Sequence, residues 1–334
     1  MTMENILLIR LKSIGDVILT LPAVRLVRDN FPTAKITFLT SAENALLLRG
    51  FREVDEVIAL DRAALRSRNP LNVLGEAAGL LWRLRGGNFS LVVDFQGYGE
   101  TAWLTWLTGA TARWGRPSKP GRKWAYTRAL TEVARGHAAA GHLDLLQHGG
   151  LTGGPIYNEF HLPADALASA RSFFAEHRLE PAQPTLFIQP FTSGAHKNWP
   201  LENYLTVARH WRSRGVQIIL GGGPADRAAL APAQAEGFVS SAGVPLLVTG
   251  GLMFLSTLVL GGDTGALHLA VAMNRRVIML MHEVIPGSPI PFQHPDWVVK
   301  APRPVAITEI TLAEVNAAIA PILEPLLADL SNPA

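Results

Sequence analysis

The chain has 334 residues, enough for two domains, with 48% hydrophobic and 17% charged residues. It contains no Cys, which excludes disulfides, thiolate zinc sites and thiol nucleophiles and fits a reducing compartment. Net charge is only +3 although the pI is about 9.4, because with four Tyr and no Cys little titrates just above neutrality; nucleic acid is not an expected partner.

The N-terminus carries Glu4 where a signal peptide would be positive, and Arg10 interrupts the apolar run. No export signal is expected. No apolar stretch reaches about 18 residues, so no transmembrane helix is expected. "NILLIRL" reads as a first strand. Gly15–Phe31 reads as a helix, with Val17, Leu21, Val24 and Val27 on one stripe and Pro22 as a kink. Strands follow at Ala34–Thr40 and Val54–Leu60, a helix at Leu71–Leu84, and a buried strand in Phe89–Gly97. A helix at Glu100–Thr108 and a strand at Ala112–Gly115 complete the first alternation. The stretch "ARGHAAAGHLDLLQHGG", from residue 134, reads as a helix ending in glycines.

Around residues 161–183 the pattern gives one helix and a Pro-bracketed linker. Alternation restarts with strand Thr185–Gln189, helix Leu201–Ser213, strand Val216–Leu220 and helix Ala225–Glu236. An apolar segment at Leu246–Leu260, a helix opened by "DTGALH" and strand Arg276–Met281 follow. Strands alternating with helices predict parallel sheets covered on both faces. The expected organisation is a Rossmann-like domain at 1–160, a linker at 161–183, a second Rossmann-like domain at 184–311, and a helix at 312–334 packing back across the first domain.

In such sheets ligands lie outside the carboxyl ends of strands, so the loops there carry the most weight. "RLKSIGD" places Lys12, Ser13, Gly15 and Asp16 after strand one. Ser13 or Asp16 as a plain helix cap is one reading. A carboxylate that accepts a proton from an incoming hydroxyl is the other. "DFQG" sets Asp94, Gln96 and Gly97 after a buried strand, as a tight turn or a ligand loop. "FTSGAHKNWP" gathers Thr192, Ser193, Gly194 and Lys197, a hydroxyl–Gly–Lys loop suited to phosphate oxygens. Lys197 is one of six Lys against 24 Arg, which suggests a need for a compact charge. "GGDTGALH" offers Asp263, Thr264, Gly265 and His268, either as a capped helix or as an oxyanion site. Gly222 and Gly223 would let a base or ribose approach the backbone. Thr101–Thr131 lacks Asp and Glu but holds Arg113, Arg116, Lys119, Arg122, Lys123 and Arg128 among Trp and Tyr. It is either a solvated loop or a face for an anionic partner. Asp-x-Asp, G-x-G-x-x-G and Walker A are absent, so neither the usual diphosphate-bound metal nor nicotinamide is expected.

"ILLIRLKSIGDVILTLPAVRLVRDNFP", "VVDFQGYGETAWLTWLTGATARWG", "KNWPLENYLTVARHW", "GGGPADR" and "GGDTGALHLAVAM" occur in that order. Together they resemble family 9 glycosyltransferases, the ADP-heptose:lipopolysaccharide heptosyltransferases. The resemblance implies an α/β chain of GT-B fold, two Rossmann-like doubly wound domains facing across a cleft. It implies Asp16 as general base and Lys197 on the donor diphosphate. Asp263, Thr264, Gly265 and His268 would hold phosphate and sugar, with Thr192, Ser193, Gly194, Gly222 and Gly223 also at the donor. Lys12, Ser13, Gly15, Asp94, Gln96 and Gly97 would lie on the acceptor side, joined by Arg113 and Arg116. The implied activity is inverting, metal-independent transfer of a heptose or related sugar from an ADP-sugar to an anionic glycolipid. The enzyme is then expected to be a cytoplasmic monomer peripheral to the membrane, with no cofactor. A nucleotide-sugar epimerase or hydrolase, or a non-catalytic nucleotide-sugar binder, is the alternative. Two features differ from the family pattern: no acid directly follows Leu220, and "HEVIPGSP" replaces a Gly-rich turn after "VIMLM".

Overall fold

The computed structural model describes residues 3–131, 136–302 and 306–331. Two compact units divide the chain, Met1–His161 and Leu162–Ala334. The first holds β1 (Asn5–Ile9), β2 (Lys35–Ser41), β3 (Glu56–Leu60), β4 (Leu91–Asp94), β5 (Ala112–Gly115) and β6 (Arg128–Ala129). Their order is β3-β2-β1-β4-β5-β6, with every neighbouring pair parallel. The accompanying helices are α1 (Ile14–Ile18), α2 (Leu21–Asn30), α3 (Pro70–Gly86), α4 (Gly99–Leu107) and α5 (Ala138–His148). Ile6 to Ile9 are fully buried, as expected for a strand covered on both faces, which therefore reads as an unbroken apolar run.

The single helix expected over Gly15–Phe31 is two helices. Pro22 sits in the first turn of α2, where its missing N–H breaks no hydrogen bond, so it starts a helix instead of kinking one. Of the helix expected from residue 134, Ala138–His148 is observed, and residues 134–135 lie outside the described residues.

The second unit contains α6 (Ala164–Glu176), β7 (Thr185–Gln189), α7 (Leu201–Ser213), β8 (Gln217–Leu220), α8 (Arg227–Ala235) and β9 (Val239–Ser240). It continues with α9 (Leu246–Leu255), β10 (Leu258–Gly262), α10 (Gly265–Ala272), β11 (Val277–Met281), β12 (Val298–Lys300) and α11 (Leu312–Ser331). The strand order is β12-β11-β10-β7-β8-β9, again parallel throughout. The apolar segment 246–260 resolves into a helix and a strand. Ser256 ends the helix by donating its hydroxyl to the Leu252 carbonyl.

One organisational expectation needs correction. The segment 161–183 is not merely a linker, since its helix α6 packs on α9 inside the second unit. Small residues permit this approach: a Cβ on Gly251 would lie 2.6 Å from that of Ala170. The last helix, expected at 312–334, buries Val315, Ile319 and Leu323 in the second unit's core. Trp199 Nε1 donates to the Ile310 carbonyl just before α11, and Trp211 Nε1 donates to Asn316 Oδ1 within it. Residues 332–334 of that expectation lie outside the described residues.

Candidate active site

Each sheet reverses its winding once, between β1 and β4 in the first unit and between β7 and β10 in the second. Crevices form where connections from adjacent strands leave to opposite faces. The four loops singled out in the sequence follow these four strands.

In the first unit the β1 loop is fastened to the β4 loop. Gln96 Oε1 accepts the N–H groups of Leu11 and Lys12 at 2.9 and 3.3 Å, and Arg10 donates to the Phe95 carbonyl at 2.8 Å. Asp16, on the first turn of α1, is gripped through one oxygen. Its Oδ2 accepts from Ser13 N (3.0 Å), Ser13 Oγ (3.1 Å) and Arg10 Nη2 (2.9 Å). Oδ1 has no partner among the described residues, and the side chain is 40% exposed. Burial acts to raise the Asp16 pKa, but the Arg10 charge and the Ser13 hydrogen bonds outweigh it and hold the carboxyl below its ordinary range. Capping and chemistry therefore share one residue: Oδ2 caps, and Oδ1 presents free lone pairs. Lys12 and Ser13 are exposed beside it, while Gly15 is buried.

Asp94, expected at the acceptor, is consumed internally. Its Oδ1 accepts Gln96 N (2.8 Å) and Gly97 N (2.9 Å), and Oδ2 accepts the Tyr126 hydroxyl at 2.7 Å. Complete burial raises its pKa despite these bonds. It shapes the loop without meeting solvent. Gly97 has φ +69°, and a Cβ there would lie 1.8 Å from the Arg116 carbonyl oxygen. Gly97→Ala is expected to destabilise the first unit by more than about 2 kcal/mol, from the left-handed backbone plus this clash. A fall in the urea midpoint would register it.

The two arginines part company. Arg113 donates to the carbonyls of Ala125 and Ala110, so its Nε and Nη1 are spent holding the segments on either side of β5. Arg116 is half-buried against Gly141, where burial and the neighbouring Arg10 depress its pKa against the pull of Asp144. His142, missed in the sequence, joins this cluster. Burial first, then Arg10 and Arg116, push its pKa down to about 3, so it is neutral beside Asp16, with its ring edge-on to Phe95 at 5.0 Å. Its one legible trait was a His on the buried face of a helix.

In the second unit Lys197 Nζ lies 2.5 Å from Asp263 Oδ2, and Asp263 Oδ1 lies 3.1 Å from His268 Nε2. A carboxylate only accepts, so Nε2 carries the hydrogen. Burial would raise the Asp263 pKa, yet the His268 and Lys197 hydrogen bonds bring it below the ordinary value. Thr264 Oγ1 caps α10 by accepting Leu267 N at 3.3 Å. The N–H groups of Gly265 and Ala266 have no acceptor among the described residues. Thr192 Oγ1 folds the β7 loop onto Gly194, bonding both its O (2.9 Å) and its N (3.2 Å), and Ser193 is exposed at the tip. After β8, Gly223 N donates to Asp226 Oδ2 at 2.7 Å, so Asp226 caps its own turn, and Gly222 packs against it.

A cavity of about 90 Å³ is lined by Lys197, Asp263, His282, Glu283 and Ser288, among others. The segment that departs from the family pattern therefore meets the Lys–Asp pair. His282, Glu283 and Ser288 were not among the expected residues, although they follow β11, next to the winding reversal. A larger hollow of about 370 Å³ lies at the amino ends of β1, β2 and β3, beside Lys35, Glu56 and Trp82. That is the end of a parallel sheet where ligands are not expected.

Residues 78–304 match the family model for glycosyltransferase family 9 (heptosyltransferase). Lipopolysaccharide heptosyltransferase 1 of Pseudomonas aeruginosa is 27% identical over 298 residues, covering 85% of this chain and 80% of that protein. A glycosyl transferase family 9 structure from Veillonella parvula superposes with TM-score 0.82 at 18% identity, covering 98% of this chain and 99% of that one. The E. coli heptosyltransferase WaaC with ADP-2-deoxy-2-fluoro heptose gives TM-score 0.74 at 22% identity, covering 95% and 99%. Two parallel six-stranded sheets with this winding are the GT-B class of fold. With more than half its length matched by the family model, the chain belongs to glycosyltransferase family 9 and is a glycosyltransferase.

Proposed function

We propose that this enzyme moves a heptose or related sugar from an ADP-sugar to an anionic glycolipid of the lipopolysaccharide inner core. The transfer is inverting and metal-independent. Each unit supplies one half of the reaction. In the first, Asp16 Oδ1 takes the proton of the acceptor hydroxyl, whose oxygen forms the new bond to the anomeric carbon. The bond from that carbon to the diphosphate oxygen breaks, and the nucleotide diphosphate leaves with the electron pair. One displacement inverts the centre. In the second, the Lys197 ammonium and the free amides opening α10 supply the positive charge the departing diphosphate needs. No cofactor takes part in this scheme. Arg116, Lys12 and Ser13 would then meet the anionic acceptor, while Arg113 holds the carbonyls of Ala110 and Ala125.

The observation that carries this reading is the carboxylate at the β1 reversal, gripped by Oδ2 and open at Oδ1. The donor assignment is supported by the WaaC relative solved with an ADP-heptose analogue, and the acceptor by the P. aeruginosa relative's name. No helix among the described residues is long and apolar enough to cross a membrane, so contact with a membrane-resident acceptor is proposed as peripheral, by a monomer on the cytoplasmic face. Calorimetry against ADP, UDP, GDP and CMP tests the donor: ADP is expected to bind at least about tenfold tighter, a difference of about 1.4 kcal/mol. Equal affinities would reject an ADP-sugar, and consumption of donor without any glycolipid would point to an epimerase or hydrolase.

A further inference from the structure

Trp103 and Trp106 on α4 and Trp124 on the single turn Pro120–Ala125 form one aromatic cluster on the first unit. Their rings meet edge-on, with centroids 5.7 Å apart for Trp103–Trp106, 4.6 Å for Trp103–Trp124 and 6.2 Å for Trp106–Trp124. They are nevertheless 55, 44 and 45% exposed. Trp199 and Trp211 show the contrasting behaviour: both are buried and both donate their indole N–H to a protein oxygen. Among the described residues the three clustered indoles have no such acceptor. A large apolar ring with a free N–H is the side chain that prefers the headgroup depth of a bilayer.

The charge around the cluster points the same way. No Asp or Glu occurs from Thr101 to Thr131. Of the cations in that stretch, Arg113 is clamped to carbonyls and Arg128 donates to the Gly149 carbonyl. Lys119 and Lys123 are exposed and have no ion-pair partner among the described residues. They flank Trp124. Unpaired cations beside exposed indoles complement an anionic lipid surface. A protein groove would cover the rings equally well, but nothing in it demands so one-sided a charge.

We propose that Trp103, Trp106 and Trp124, with Lys119 and Lys123, dock this enzyme on a bilayer containing anionic phospholipid. The proposal rests on the reading that the acceptor is a glycolipid and adds where the enzyme meets the surface holding it. The placement suits that use. α4 begins two residues after Gly97, so at about 1.5 Å rise per residue Trp103 and Trp106 lie roughly 6 and 10 Å along the helix from the β4 loop.

The test is vesicle flotation of the full chain, with phosphatidylcholine alone and with a one-third admixture of phosphatidylglycerol. Wild type is expected to float with the mixed vesicles and less so at high salt. The triple variant Trp103→Ser, Trp106→Ser, Trp124→Ser is expected to lose binding about tenfold or more. Lys119→Glu with Lys123→Glu is expected to lose the phosphatidylglycerol dependence. Circular dichroism confirms that each variant is folded. Transfer to a water-soluble, acyl-free acceptor is expected to be unchanged in both. Wild type floating equally with both vesicles, or the Trp variant floating like wild type, overturns the proposal. So does loss of transfer to the soluble acceptor, which would make the cluster part of the acceptor site. A wild-type dimer that the Trp variant dissolves would assign the face to a second copy instead. Vesicle binding with no transfer to any glycolipid would reject the function proposed above and leave the docking intact.

Discussion

Replacing Asp16 with Asn is expected to lower the rate of sugar transfer by about 10²–10⁴-fold while leaving nucleotide affinity unchanged. The geometry makes the substitution clean. An Asn can turn its carbonyl toward Ser13 and Arg10, keeping the three donors now on Oδ2. Its amide then occupies the place of Oδ1, where it has protons and no lone pair to offer. Steady-state rates and nucleotide calorimetry on the same preparation check both halves; full activity would remove Asp16 from the mechanism. The same contacts fix a pH dependence. A group whose pKa is depressed in the fold stays ionised down to that lowered value, and its favourable pairing is lost only as pH falls through it. Asp16 should therefore add no acid limb to the rate between pH 5 and 8. Removing the guanidinium, as in Arg10→Met, should move that limb upward, since burial then acts with less opposition.

The second large effect is expected from Lys197→Met. It deletes the ammonium proposed to meet the donor diphosphate, and it leaves Asp263 buried with His268 as its remaining partner. A charge-assisted bond contributes about 1.5–3 kcal/mol, so kcat/KM should fall by roughly 10- to 150-fold. Part of that loss is repulsion between the stranded carboxylate and the incoming phosphates. The double variant Lys197→Met, Asp263→Asn separates the two contributions. It should recover nucleotide affinity relative to Lys197→Met alone, because contacting charges are not additive. A double variant as weak as the single one would show that the carboxylate is indifferent to the donor.

How much of this was readable in advance follows from where the signals are local. Strands β1, β4, β7 and β10 are buried on both faces, so each reads as a short apolar run, and the polar residues that end it mark the loop at the winding reversal. That is why the Asp16, Gln96, Lys197 and Asp263 loops were visible from spacing alone. The two-residue strands β6 and β9 and the three-residue β12 are too short to show any period, and none was foreseen. Side-chain commitments over long separations were equally hidden. Asp94 read as a ligand until Tyr126, 32 residues on, was seen to take its outer oxygen. Arg113 read as a cationic contact until the carbonyls of Ala110 and Ala125 were seen to hold it. Pro22 misled in the opposite direction, since a proline's effect depends on whether it falls inside a helix or at its first turn, and the amphipathic stripe ran through both α1 and α2 without a gap. The family resemblance adds what local pattern could not, expected roles for the loops, but not the residues unlike the family's, His282 and Glu283, which line the cavity beside Lys197.

Trp199 and Trp211 tie α11 to the second unit's core, and this sets an order of events during synthesis. The strands of the first unit are complete by Ala129, so that half can close while the remainder is still being translated. The second half is missing Val315, Ile319 and Leu323 until nearly its whole length has emerged from the ribosome. Its central strands β7 and β10 must wait in the nascent chain with part of their apolar cover undelivered, so this half is expected to be the more aggregation-prone one during synthesis.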